Sequence, residues 1–120
     1  MKLAFPVDQN DLNTQLSGTF GRAKGFIIYD TQTDTHTYLD NIQQVNAAQG
    51  AGIQAAQQIV EGGADALISQ HCGPKAFRVL SAAGATVYCV REGTVQEHLS
   101  AFREGLLNAS ADADVEGHWL

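Results

Sequence analysis

The residues best suited to do chemistry fall in one short run, His71-Cys72-Gly73-Pro74-Lys75. A Gly-Pro pair after an apolar stretch opens a helix, because proline's fixed φ and missing N–H suit the first helical position. Cys72 then stands just before a helix N-terminus, where free amide N–H groups and the helix dipole lower a thiol pKa and attract anions. Two readings of it stay open, a sulfur or anion contact and a small residue fitted to a tight strand-to-helix turn. Cys89 lies in a run expected to be buried, so it reads as packing. A second segment, Asn46-Ala47-Ala48-Gln49-Gly50-Ala51-Gly52, has glycines at a helix start and little side-chain bulk over its amides, and so tolerates an anion. It lacks the Lys-Ser/Thr of a Walker loop and does not follow a first βαβ strand, which makes it a weak nucleotide motif. The basic residues come in pairs, Arg22 with Lys24 and Lys75 with Arg78.

Other chemistries are poorly served. A metal-dependent nuclease needs several carboxylates at one edge to hold Mg²⁺. Asp8 ends a predicted strand at the ligand-binding edge, whereas Asp65 precedes a strand and Glu61 ends a helix at the opposite one. A structural zinc site wants four Cys or His at paired spacings, and the chain has neither a CxxC nor an HxxxH. His36, His98 and His118 read as surface or satisfied histidines.

The elements that must position these residues can be read from the apolar pattern. Leu3, Phe5 and Val7 alternate with Lys2, Ala4 and Pro6, the period of a strand with one buried face. Phe26 to Asp30 and Thr35 to Leu39 flank a polar turn and complete an antiparallel meander. Asn46 is the expected N-cap of a first helix with Ile53, Ala56 and Val60 inward and a stop at Gly62-Gly63. Ala66-Leu67-Ile68-Ser69 reads as a central parallel strand, followed by a helix presenting Phe77, Leu80 and Ala83. Ala85 to Val90 is a fifth strand. Thr94 and Glu97 form a capping box for a third helix with Val95, Leu99, Phe102 and Leu106 on its apolar stripe.

The order βββαβαβα predicts an α/β, ribonuclease H-like fold: a five-stranded mixed sheet ordered 3-2-1-4-5, strand 2 antiparallel to the rest, helices on both faces. The ends of strands 1, 3, 4 and 5 and the starts of all three helices share one edge, where open α/β sheets bind ligands. At 120 residues and 44% apolar the chain encloses one core. We expect a domain over residues 1–107 and an acidic tail over 108–120. Thirteen acidic residues against seven basic give net charge −6, which disfavours nucleic-acid binding. The apolar runs are too short to span a membrane, and the start of the chain lacks a signal-peptide pattern, so the expected location is the cytoplasm, with both cysteines as thiols.

Three segments together, Thr19-Phe20-Gly21-Arg22-Ala23, Gly50-Ala51-Gly52-Ile53 and Asp65-Ala66-Leu67-Ile68 through Gly73-Pro74-Lys75-Ala76, with Phe102-Arg103-Glu104-Gly105-Leu106 after them, resemble the dinitrogenase iron-molybdenum cofactor biosynthesis family. The resemblance spans about residues 1 to 107. It implies a ribonuclease H-like domain that binds or carries the iron-molybdenum cofactor or its precursors. The chain length and the Gly117-His118-Trp119 ending are similar to a branch that carries a molybdenum-copper sulfide cluster. Many relatives place histidines before the Phe-Gly-Arg and before the Gly-x-Gly; here those positions are Thr19 and Gln49, which excludes histidine ligation there. What remains suits an anionic cluster that brings its own sulfides. Recognition would fall to Arg22, Lys24 and Lys75, to the backbone of Gln49, Gly50, Gly52 and Gly73, and to His71 and Cys72, with no catalysis and no metal ligated by the protein. A metal-free domain that docks a protein partner on the same edge, and a degenerate hydrolase, are the competing readings.

Overall fold

The computed structural model describes residues 1–42 and 50–110. Its elements are β1 (Lys2–Val7), a 3-10 turn (Phe20–Arg22), β2 (Gly25–Asp30), β3 (Thr35–Asp40), α1 (Ala51–Glu61), β4 (Ala66–Ser69), α2 (Pro74–Ala82), β5 (Thr86–Cys89) and α3 (Val95–Arg103). The sheet order is β3-β2-β1-β4-β5. β2 is antiparallel to β1 and β3, while β4 is parallel to β1 and β5 to β4. This is the expected ribonuclease H-like arrangement: the long segment 8–24, which carries the 3-10 turn, returns the chain to lay β2 beside β1, the tight turn 31–34 adds β3, and two crossovers, through α1 and α2, add β4 and β5 on the other side of β1.

Alternate residues of the central strands feed two separate cores. Ala4, Phe26, Ile28 and Leu67 pack with Ala55, Ala56 and Ile59 of α1 and Leu80 of α2. Leu3, Phe5, Val7, Ile27, Tyr29 and Ile68 pack with Val95 and Leu99 of α3. Two helices therefore cover one face and α3 the other. The expectation that β1 buries a single face is corrected: residues 3–7 are all buried, because β1 is the middle strand and both its faces lie under helices.

Local chemistry sets the helix boundaries. α3 begins at a capping box, with the Glu97 N–H donating to Thr94 Oγ1 at 3.1 Å and the Thr94 N–H to Glu97 Oε1 at 2.8 Å. It ends at Arg103, with Gly105 beyond it in a left-handed conformation (φ 73°). Leu106 consequently falls outside the helix and is 66% exposed rather than part of its stripe. The N-cap of α1 is Gly50; the expected cap, Asn46, lies outside the described residues. α1 turns Ala55, Ala56 and Ile59 inward and leaves Ile53 and Val60 half-buried, so the buried stripe differs from the expected one. α2 buries Ala76 and Leu80, and Ala83, its C-cap, is exposed. β5 is an edge strand, and Cys89 on it is half-buried; no disulfide joins it to Cys72.

Candidate functional site

At the carboxyl edge of the sheet the 3-10 turn, the start of α1 and the β4–α2 loop enclose a cleft of about 560 Å³. Its walls are Gly18, Thr19, Phe20, Gly21 and Arg22 on one side, Gly50, Ala51, Gly52 and Ile53 on a second, and His71, Gly73, Pro74, Lys75 and Ala76 on a third. The first two walls meet backbone to backbone. Gly21 lies so close to α1 that a Cβ on it would come 2.8 Å from the Gly52 nitrogen. On its other side Gly52 faces Ala76 of α2, where a Cβ would make ordinary contact at 3.6 Å.

A polar brace holds this corner. The Asn41 side-chain amide donates to the carbonyls of Gly21 (3.2 Å) and Ala23 (2.9 Å). Gln58 of α1 donates to Asn41 Oδ1 at 2.7 Å and accepts from the Ile42 N–H at 2.9 Å. The end of β3 thereby ties the 3-10 turn to α1. Asn41 and Gln58 were not among the residues expected from the sequence. Asn41 follows a strand that ends at the ligand edge, which is the one signal that could have marked it; Gln58 carries none.

Both helices that open on the cleft start without a side-chain cap. Gly50 and Gly73 are the N-caps, Pro74 occupies the first turn of α2, and neither first turn holds an acidic residue. Among the described residues no side chain caps these first turns, so the positive ends of two helix dipoles face the cleft, while α3, which starts away from it, is capped by Thr94 and Glu97. Among the described residues the charged groups on the walls are Arg22 and Lys75, both exposed, and no carboxylate lines them. Phe20, Ile53, Pro74 and Ala76 make much of the remaining surface apolar.

Of the residues singled out from sequence, the cleft brings together Arg22, Gly50, Gly52, His71, Gly73 and Lys75. Lys24 is exposed and does not line it; its backbone N–H donates to Asp8 Oδ1 at 3.1 Å. Cys72 is 1% exposed and packs in the core beneath α1 and α2, its sulfur 3.8 Å from the Gly73 carbonyl oxygen. Gln49 lies outside the described residues. His71 also borders a second, shallower depression with Cys89, Arg91 and His98. Asp65 sits at the opposite edge, where it accepts from the Lys2 N–H at 2.7 Å. Among the described residues no three His, Cys, Asp or Glu side chains come together to hold a metal ion.

The donor set therefore matches a polyanion rather than a bare cation: cationic side chains and amide N–H groups line the cleft, and the apolar wall suits polarisable sulfides. Comparison with known proteins gives the family. The family model described as dinitrogenase iron-molybdenum cofactor matches residues 1–105. An uncharacterised protein of Methanocaldococcus jannaschii is 33% identical over 109 residues, 89% of each chain. The apo form of the orange protein from Desulfovibrio gigas superposes with a TM-score of 0.88 at 34% identity, covering 95% of this chain and 96% of that one. A candidate NifB protein from Thermotoga superposes with a TM-score of 0.80 at 37% identity, over 97% and 98% of the two chains. The chain belongs to the dinitrogenase iron-molybdenum cofactor family.

Proposed function

We propose that this protein is a non-catalytic carrier that takes up a preformed, anionic, molybdenum-containing metal-sulfide cluster, of the molybdenum-copper sulfide type or a related molybdenum or iron-sulfur kind, in the cleft at the carboxyl edge. The observation that carries the reading is the pairing of two glycine-capped helix N-termini with Arg22 and Lys75 around a cleft whose described walls hold no carboxylate. A cluster whose metals are already saturated by sulfide needs no side-chain ligand. It needs positive potential, hydrogen-bond donors aimed at sulfur, and contact with apolar surface. The family membership supports a cargo of this class. Holding the cluster by Arg22, Lys75, the amides after Gly50 and Gly73 and the apolar wall, without covalent bonds, leaves it free to be handed on intact. We place the protein in the cytoplasm; among the described residues no helix is long and apolar enough to cross a membrane.

The test is optical. Apoprotein mixed with tetrathiomolybdate and copper should develop protein-bound visible bands that survive gel filtration, with molybdenum and copper co-eluting in fixed ratio. Protein that stays colourless under these conditions, and that carries no molybdenum when purified from its native source, would sink the carrier reading and favour a metal-free docking domain.

A further inference from the structure

The two edges of the sheet are finished differently. At the β5 edge the chain after α3 returns, and the Ser110 N–H donates to the Val87 carbonyl at 2.7 Å. At the β3 edge six residues run in unbroken register beside β2, from Thr35 opposite Asp30 to Asp40 opposite Gly25. The Asn41 N–H donates to the Lys24 carbonyl at 3.0 Å. In an antiparallel pair the bonded residues alternate, so Thr35, Thr37 and Leu39 turn their backbone groups toward β2, and His36, Tyr38 and Asp40 turn theirs outward. Among the described residues, no group bonds to those outward N–H and C=O groups. The strand contains no lysine, no proline and no bulge, and Asp40 at its end is its one acidic side chain.

We infer that β3 is a pairing surface for a second copy of this chain, joined antiparallel about a two-fold axis at Tyr38 to give one continuous ten-stranded sheet. This register alone engages all three outward residues. Tyr38 faces the partner's Tyr38, and His36 faces the partner's Asp40 on both sides of the axis, each facing pair exchanging both N–H···O bonds. A slip of one residue sets outward groups against inward ones, and a slip of two leaves one outward residue of each strand without a counterpart. The side chains agree with the register. Histidine meets a carboxylate rather than a like charge, half-buried Leu39 lies opposite the partner's Thr37, and Tyr38, whose ring lies back over Gly25 of β2, leaves the axis to the backbone bonds. Exposed Ile42, just past β3, gains cover at the ends of the interface. The interface is isologous, as a closed dimer requires. Because the strands run in opposite directions, the two clefts open at opposite edges of the joined sheet, so pairing and cluster uptake are independent. Net charge −6 on each copy opposes association, so pairing tightens as salt rises. Uptake of an anion into a basic cleft has the reverse salt dependence.

Two measurements on the full chain test this. Light scattering and sedimentation equilibrium from about 1 µM to about 1 mM, a span covering weak association, should show a monomer–dimer equilibrium that shifts to dimer as salt rises. The double variant His36→Cys/Asp40→Cys should form a covalent dimer on mild oxidation, because facing Cα atoms in a bonded pair lie about 5.5 Å apart, within disulfide reach. Each single variant should not, since like residues would be offset by four positions, roughly 13 Å. A wild-type mass that stays monomeric throughout, a double variant that fails to cross-link, or single variants that cross-link as readily, overturns the proposal. All of this is read on apoprotein, so failure of the carrier reading leaves it standing.

Discussion

A Cβ built on Gly21 would come within 2.8 Å of the Gly52 nitrogen and 3.0 Å of the Ala51 carbonyl carbon, so the 3-10 turn and the first turn of α1 touch backbone to backbone. Both neighbours are main chain and cannot swing aside. Gly21→Ala should therefore push the Arg22 turn off α1, lowering stability by about 1–3 kcal/mol, the usual cost of overpacking, and weakening cluster uptake as well. Gly18→Ala, where nothing lies within 4 Å, is the control and should be close to neutral in a urea melt.

The brace between Asn41 and the Gly21 and Ala23 carbonyls makes a related prediction. Asn41→Ala removes the two donors and the acceptor for Gln58, and should cost about 1–2 kcal/mol at this partly buried site. Asn41→Asp should be worse for uptake than the alanine. It sets acceptors against two carbonyls and adds negative charge beside the basic cleft. Urea melts and cluster titrations on the same two variants separate these effects, and equal uptake by both would mean the charge at Asn41 is not felt.

Cys72 separates a thiolate site from a packed core. At 1% exposure among Ala76, Leu80 and Val87, its replacement by serine buries a hydroxyl where a thiol packed. Cys72→Ser should lower stability by about 1–3 kcal/mol and leave the visible bands of the loaded protein in place. A folded variant that has lost those bands would show thiolate coordination instead.

Much of this was legible beforehand, for definite reasons. β4 was bounded by an apolar run between Asp65 and Gln70, and the cap of α3 by Thr94 and Glu97, because local chemistry alone sets those limits. Arg22, Gly50, Gly52, Gly73 and Lys75 were visible as cleft residues because topology sends their segments to one edge. What periodicity could not show was depth. Alternation in β1 hides a strand buried on both faces, Ile53 at helical spacing lines the cleft rather than the core, and Cys72 at a helix start points inward. The Asn41–Gln58 brace spans residues 17 apart and carries no local signature.

Acid stability should report on the far edge of the sheet. The Arg103 guanidinium, bonded to Asp34, holds the Asp34 carboxyl below its ordinary range, with the Tyr29 hydroxyl adding to the effect. A carboxylate whose folded pKa is depressed adds stability that is fully present above its unfolded value, about 4, and is lost as pH falls through the folded value. Glu97 is shifted the same way, chiefly by its bond from the Thr94 N–H and then by the Thr94 side chain. Asp34→Asn should thus be less stable than wild type at pH 7 and should converge with it as pH falls below the ordinary carboxylate range and through the depressed folded value. Both residues are exposed, so the gap should narrow in salt. Thermal midpoints across pH check this, and a gap unchanged at low pH would remove the ion pair as its cause.

The charges on the cleft wall give the sharpest test of cargo. The protein as a whole repels a polyanion, so on the proposed carrier reading uptake would rest on local potential from Arg22, Lys75 and the two helix ends. If each cation makes a charge-assisted hydrogen bond to the cluster, Arg22→Glu or Lys75→Glu should weaken uptake by on the order of 1–3 kcal/mol, about 5- to 150-fold. Arg103→Glu makes the same change in net charge but acts at the opposite edge, where Arg103 pairs with Asp34 and lies 5.6 Å from the Tyr29 ring centre. With screening over roughly 10 Å at 0.1 M salt, its effect on uptake should be small. Lys24→Glu, near the cleft but off its walls, should fall between. Wild-type affinity should drop as salt rises, and the Arg22 and Lys75 variants should show a shallower drop, having fewer charges left to screen. Titrating all four with preformed cluster and following visible absorbance decides the matter. Equal losses in every variant would reduce the effect to net charge, and no loss in any would leave the apolar wall and the helix ends as the holding elements.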